Sequence, residues 1–282
     1  MSMPCRYELS SRFLAGGIGL CLLGPSACTK FANEWDTVEG EVATELRPSG
    51  QDWSCVSDQV DGNPIMPSNG PPLDYAVMAV DFLSGMTPPN LRIRACYRGD
   101  ISCNRPATEA VAPDSEGIVT LPLSLGFNGF LEIESDDMVP TLFVFPGALT
   151  LELAATVGPV PIALLPFQAL IAFGQSSQLD LNPEAGIVSM NAYDCAGPNA
   201  AGVRLELNAS AVPFAFVDGL PIAFQDTTTA EGTAGFANVL PGLVVVRGFR
   251  ADTSELVGLE SILVRTGWVT VGTLMPQFAA QR

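Results

Sequence analysis

The chain contains no histidine, and its only lysine is Lys30. Without histidine it cannot build a Ser-His-Asp or Cys-His nucleophile, nor any zinc site that needs an imidazole. Charged residues make up 15% of the 282 positions and are lopsided, with 13 basic against 30 acidic side chains and a net charge of -17. A phosphate backbone is repelled by such a surface, so no nucleic-acid partner is expected. The acidity instead keeps an apolar-rich chain in solution. The seven cysteines contain no Cys-x-x-Cys pair, and neither a phosphate loop nor a dinucleotide fingerprint is present. These absences leave no catalytic residue, no metal ligand set and no cofactor to assign. Carboxylates are the remaining chemistry. Glu132 and Glu134, with Asp136-Asp137, could be set out as a glycosidase pair, but they read as a polar strand face followed by a solvated loop. Asp58, Asp61 and Asn63, or Asp114 and Glu116, offer oxygen ligands in turns, yet neither group completes a calcium loop.

What is present begins with a targeting pattern. Arg6 and Arg12 precede an apolar run from Phe13 to Leu23, which is too short for a permanent membrane helix. Gly24-Pro25-Ser26-Ala27 then leads into Cys28. Small residues before a cysteine resemble the lipobox of bacterial lipoproteins, although Pro25 stands where that family prefers leucine. The resemblance implies a signal peptide over 1–27, lipidation at Cys28 and a membrane partner through the lipid anchor. Thr29, rather than aspartate, follows Cys28, which by analogy with Gram-negative sorting implies an outer-membrane lipoprotein. Plain secretion is the alternative. Residues 28–72 then read as a flexible tether ending in a Pro/Gly/Asn-rich stretch, with Trp53 and Cys55 as the residues able to pin it to a domain.

From Leu73 the texture changes to period-two segments. In "LRIRACY" Leu91, Ile93 and Ala95 oppose Arg92, Arg94 and Cys96, and "FLEIES" sets Leu131 and Ile133 against Glu132 and Glu134. Such alternation signals half-buried antiparallel strands. Residues 73–155 therefore form a first β-sandwich. Residues 156–184 are an apolar connection in which Pro166 opens a short helix and Gly174 ends it. That segment should be buried between or beside the sandwiches, because its exposure would leave a large apolar patch. Residues 185–277 hold about seven strands bounded by turn residues, the density of a second sandwich. Each block opens with an apolar strand and a glycine turn, continues with an arginine-bearing alternating strand, and then has a Glu-Gly turn (Glu116-Gly117; Glu231-Gly232), which marks two copies of one module.

The second block carries a family pattern: "TTTAEGTAGFANVLPGLVVV", residues 227–246, together with the hairpin "DCAGPNAAGVRLEL". It resembles the carboxypeptidase regulatory-like modules, prealbumin-like sandwiches related to bacterial Cna-B stalk domains. The match covers about residues 186–276 and, more weakly, 73–146. In this reading Gly232 and Gly235 tighten the hairpin, Phe236 and Val239 enter the core, and Pro241-Gly242 reverses the chain. The resemblance implies an all-β fold of two tandem prealbumin-like sandwiches. It also implies an accessory, non-catalytic role as a spacer or as a binding unit for a protein or glycan. The alternative is a carbohydrate-active or peptidase-associated secreted protein. Some relatives carry a Lys–Asn isopeptide bond, which these blocks cannot form because Lys30 lies in the tether.

Once the signal and Cys28 are set aside, Cys55, Cys96, Cys103 and Cys195 remain, with three pairings open. Cys96 and Cys103 flank a Gly-Asp turn and are expected to bridge. Cys55 and Cys195 are then left to pair near a docked Trp53, the alternative being buried free thiols. Phe214 and Phe216 flank Ala215 on one strand face. They are candidate ligand contacts, although two same-face strand residues more simply serve a core.

Overall fold

The computed structural model describes residues 51–56, 70–151, 159–177, 179–197 and 199–276. All of these belong to one compact unit, Glu45–Arg282. The first half comprises β1 (Pro72–Asp81), β2 (Arg92–Tyr97), β3 (Thr108–Val111), β4 (Ile118–Ser124), β5 (Gly129–Glu134), β6 (Thr141–Val144) and β7 (Val160–Leu164). Helix α1 (Phe167–Ser176) follows. The second half comprises β8 (Gly186–Ala192), β9 (Val203–Leu207), β10 (Val212–Val217), β11 (Leu220–Ala223), β12 (Thr233–Val239), β13 (Gly242–Arg250), β14 (Leu256–Val264) and β15 (Val269–Leu274).

The expected two sandwiches are present, and they share a sheet. One nine-stranded sheet runs in the order β11-β10-β12-β8-β15-β6-β5-β2-β3, and two three-stranded sheets, β4-β1-β7 and β14-β13-β9, pack on it. The seam lies between β15 and β6, which pair in parallel with Thr270 beside Leu142 and Val271 beside Phe143. Because side chains alternate along a strand, this register decides which face each residue serves. Leu142 aligns with Thr270, and Thr270 with Val188. Leu142 and Val188 belong to the core shared with Val246, Val257 and Ile262 of β13 and β14. Phe143, one residue on, packs with the other core, built from Tyr75, Val77 and Ala79 of β1 and from Leu131 and Ile133 of β5. The two small sheets therefore cover opposite faces of the nine-stranded sheet.

The apolar segment after the first block divides into two elements. Val160–Leu164 pairs in parallel with Val77–Asp81 of β1 and so completes the first sandwich's smaller sheet. Pro166 is the N-cap residue of α1, and the helix continues two residues past Gly174 to Ser176. Burial there is one-sided. Phe173 is buried against Phe214 of β10 with ring centroids 5.2 Å apart, whereas Phe167 and Ile171 on the outer side are 44% and 52% exposed. A ten-residue helix lying on a sheet can bury only one stripe, so the burial expected beside a sandwich falls on that stripe alone. This helix is too short to cross a membrane, as is any other among the described residues.

Gly235 has a different role from the one expected. Gly232 has φ +67°, the turn geometry that favours glycine. Gly235 instead lies inside β12 opposite Ser189, where an added methyl group would run into the Val188 carbonyl and lie 2.8 Å from Phe214 Cζ. Its need for glycine comes from close approach rather than from a turn. Phe236 and Val239 are buried in the second core. Sheet edges are blunted as well: β4, β7 and β11 carry Pro122, Pro161 and Pro221, and the Pro221 carbonyl accepts a hydrogen bond from Ser177 Oγ at 3.1 Å.

Candidate functional site at the junction of the sandwiches

The most elaborate side-chain chemistry among the described residues lies where the first sandwich meets the second. It begins with a cross-strand ladder on β2 and β5, which places Arg94 opposite Glu132 and Arg92 opposite Glu134. Glu132 points toward the second sandwich, and its side chain is only 1% exposed. A lone buried carboxylate would be costly, so it needs paired charge. Arg94 supplies one partner. Arg265, from the turn between β14 and β15, supplies the other, with Nη2 2.5 Å from Glu132 Oε1 as an ion pair rather than a well-aligned hydrogen bond. Its guanidinium also lies over the rings of Trp268 and Phe130, at 5.0 and 5.6 Å from their centroids, and donates to the Ile101 carbonyl at 2.7 Å. Glu132 is therefore not part of a solvated strand face: the second sandwich covers it and neutralises it.

A second contact runs the other way. Cys96 and Cys103 are joined by a disulfide, with Cα atoms 5.4 Å apart, and both are buried. This bridge closes the loop that carries Arg98, which pairs with Glu260 of β14 and reaches the Ser261 carbonyl at 3.4 Å. Burial pushes the Arg98 guanidinium below its ordinary pKa, but Glu260 keeps a counter-charge beside it. Cys96, Cys103 and Glu132 lie close enough to suggest a metal site. The group does not fit one, because both sulfurs are spent in the disulfide and the carboxylate is held by two arginines.

Beside the ladder lies a hollow of about 120 Å³ lined by Arg92, Arg94, Ala110, Glu132 and Glu134. Sites that enclose a small molecule are several times larger. Glu134, two residues on along the same face as Glu132, is exposed at the end of the strand. Asp136 accepts a hydrogen bond from Asn90 Nδ2 at 2.6 Å in an exposed loop, and Asp114 Oδ1 is occupied by the Glu116 and Ile118 backbone amides at 2.8 and 3.0 Å. Glu132, Asp136 and Asp114 are thus occupied by arginine, asparagine and backbone-amide partners.

The other candidate residues lie elsewhere. Cys55 and Cys195 are joined by a disulfide with Cα atoms 5.7 Å apart. Around it the Asp52 amide donates to Asp194 Oδ2 at 2.9 Å, the Cys195 amide donates to the Asp52 carbonyl at 2.7 Å, and Trp53 packs on the second core beneath Arg250. Phe214 is 3% exposed beneath α1, and half-buried Phe216 sits beside it with ring centroids 5.9 Å apart. Cys28 and the Asp58, Asp61 and Asn63 group lie outside the described residues. Sequence reasoning missed the junction. Its signal was the arginine facing each glutamate on adjacent alternating strands, while Arg265 and Arg98 gave none.

No protein-family model matches the chain, and no curated protein matches it. Among solved structures it is similar to a streptococcal ancillary pilin at 12% identity, covering 73% of this chain and 69% of that one with a TM-score of 0.23. It is similar to the Bacillus anthracis TIE protein at 11% identity, covering 73% and 34% with a TM-score of 0.23. The shaft pilin SpaA of Lactobacillus rhamnosus GG is similar at 9% identity, covering 74% and 99% with a TM-score of 0.23. The architecture stands on the strand pairing described above rather than on these likenesses. One expectation is corrected: the similar proteins come from bacteria that have no outer membrane, which conflicts with the outer-membrane placement drawn from Thr29, and that placement is dropped.

Proposed function

We propose that this chain is a lipid-tethered, non-catalytic module that spaces or presents a binding surface for a protein or glycan. Residues 1–27 act as a signal peptide, Cys28 carries the lipid, and the chain from 28 to the bridge at Cys55 is the tether. The observation that carries the reading is the junction. Two sandwiches sharing one sheet, with Glu132 clamped between Arg94 and Arg265, make a stiff body whose buried charges are spent on holding its halves together. A spacer needs that property, whereas an enzyme needs a cleft with groups left free to react.

The test is metabolic labelling of cells with an alkyne-bearing fatty acid. The wild-type chain is expected to take up label and sediment with membranes, and Cys28→Ala is expected to lose both properties. A Cys28→Ala protein that still labels and sediments would overturn the lipid tether. Turnover of a sugar or peptide substrate by the purified protein, lost on mutating Glu132 or Glu134, would overturn the non-catalytic reading.

A further inference from the structure

The Cys55–Cys195 bridge spans 140 residues. Every strand of the first sandwich, β1 through β7, lies inside the covalent loop it closes. The bridge therefore attaches the segment at 51–56 to the second sandwich, although the first sandwich comes next in the sequence. Cys195 follows the end of β8, and the Tyr193 amide donates to the Leu274 carbonyl at 2.9 Å. Since β8 and β15 are parallel neighbours, the tether joins the body where the chain leaves β15. The two disulfides also differ in access. Cys55 and Cys195 are half-buried, whereas Cys96 and Cys103 are 0% and 4% exposed.

The geometry points to Cys55–Cys195 as a reducible load bypass: tension on the N-terminal segment enters the second sandwich at Cys195 without running along the backbone of the first. While the bridge is closed, stretching the chain can extend residues beyond Cys195 but cannot pull β1 out of its sheet. Once it is open, the same tension reaches Gly70 and β1 directly and runs through the whole first sandwich. Opening is thiol–disulfide exchange with an external dithiol such as dithiothreitol. Its thiolate attacks one sulfur, the protein S–S bond breaks, and a second attack releases two protein thiols and the cyclic disulfide of the reductant. Without load the opened segment stays seated, because the Asp52 hydrogen bonds and Trp53 packing remain. The inference deepens the tethered reading, but its test places handles on the chain itself and does not depend on lipid at Cys28.

The full chain, held by handles at its two termini, is stretched in a single-molecule force experiment. Dithiothreitol is set at a level where alkylation mapping finds Cys55 and Cys195 modified and Cys96 and Cys103 intact. Reduction should lengthen the fully extended chain by about 450 Å, from the 140 residues of the loop less the 7 still closed by Cys96–Cys103, at roughly 3.4 Å each. Cys55→Ser with Cys195→Ser should give that longer length without reductant. If that variant does not fold, the reduced wild-type chain decides the matter alone. Equal lengths before and after reduction would overturn the bypass. So would alkylation of Cys96 and Cys103 ahead of Cys55 and Cys195. In the unloaded reduced protein the Cys195 amide should still exchange slowly, and fast exchange there would overturn the retained seating.

Discussion

Replacing Glu132 by glutamine tests whether the junction is held electrostatically. Glutamine keeps the shape but removes the charge facing Arg94 and Arg265. Breaking a fully buried pair by removing one partner costs about 3–5 kcal/mol. The cost here is smaller, because the Arg94 and Arg265 side chains are 37% and 21% exposed and can regain water. Arg265 also keeps its hydrogen bond to Ile101 and its contacts with Trp268 and Phe130. The expected loss is therefore about 2 kcal/mol, or a fall in melting temperature of about 4–8 °C for a domain of this size. Calorimetry on the full chain measures it. A double-mutant cycle with Arg265→Gln should return a coupling of about 1–2 kcal/mol, since the two groups touch. A melting point within 1 °C of wild type, or additivity of the two changes within about 0.3 kcal/mol, would refute the clamp.

Three further outcomes follow from the same packing. Gly235→Ala should cost about 1–3 kcal/mol in urea unfolding, because its methyl group meets the Val188 carbonyl and the Phe214 ring and β8 cannot move without disturbing the central sheet. Exchanging Cys96 and Cys103 together for serine should cost about 2–3 kcal/mol by loop-closure entropy and free Arg98 from Glu260, visible as faster amide exchange along β14. Tyr75 is buried, which raises its phenol from 10.0 to about 12. Its contribution is therefore complete below pH 10 and is lost as the pH rises toward 12, because the unfolded chain sheds the proton first. The total is about 2–3 kcal/mol, and Tyr75→Phe should flatten that part of the pH profile.

Where a strand alternates over six or more residues, as in β2 and β8, its place could be read from the sequence. Proline hid others. Val119, Leu121 and Leu123 alternate in β4, but Pro122 sits among them, and an edge strand tolerates a proline that a central strand would not. β7 was hidden in a proline-rich apolar run because its partner is β1, some 80 residues earlier, and parallel pairing leaves no local signature. The helix was legible from Pro166 because a proline fits a helix start and little else there. Glu132 misled for a related reason. A glutamate alternating with Leu131 and Ile133 implies an outward face, and only a neighbour brought in by the β6–β15 seam makes that face interior. Local patterns report which side of a strand is polar and cannot report what later covers it.

The seam itself explains why two repeated modules do not behave as beads on a string. β15 is the last strand of the second sandwich, and in an isolated module one of its edges would be open. Here it hydrogen-bonds β8 on one side and β6 on the other, both in parallel. β6 likewise closes the first sandwich's edge, so each module removes the other's exposed strand. Parallel pairing alone is modest in strength for three residue pairs. What makes it persistent is that buried Thr270 on the seam has its hydroxyl satisfied by the Leu263 carbonyl at 2.7 Å, while the Val269 amide donates to the Pro140 carbonyl at 3.0 Å. Separation would therefore expose unpaired strand edges together with the Glu132–Arg265 pair, which ties rotation at the seam to loss of the clamp. The linker-like segment at 160–176 adds no freedom, since it is spent as a strand of one sandwich and a helix lying against the other. Stiffness in this molecule is thus a property of how its repeats are joined, and the disulfide at Cys195 fixes the point from which that stiff body is held.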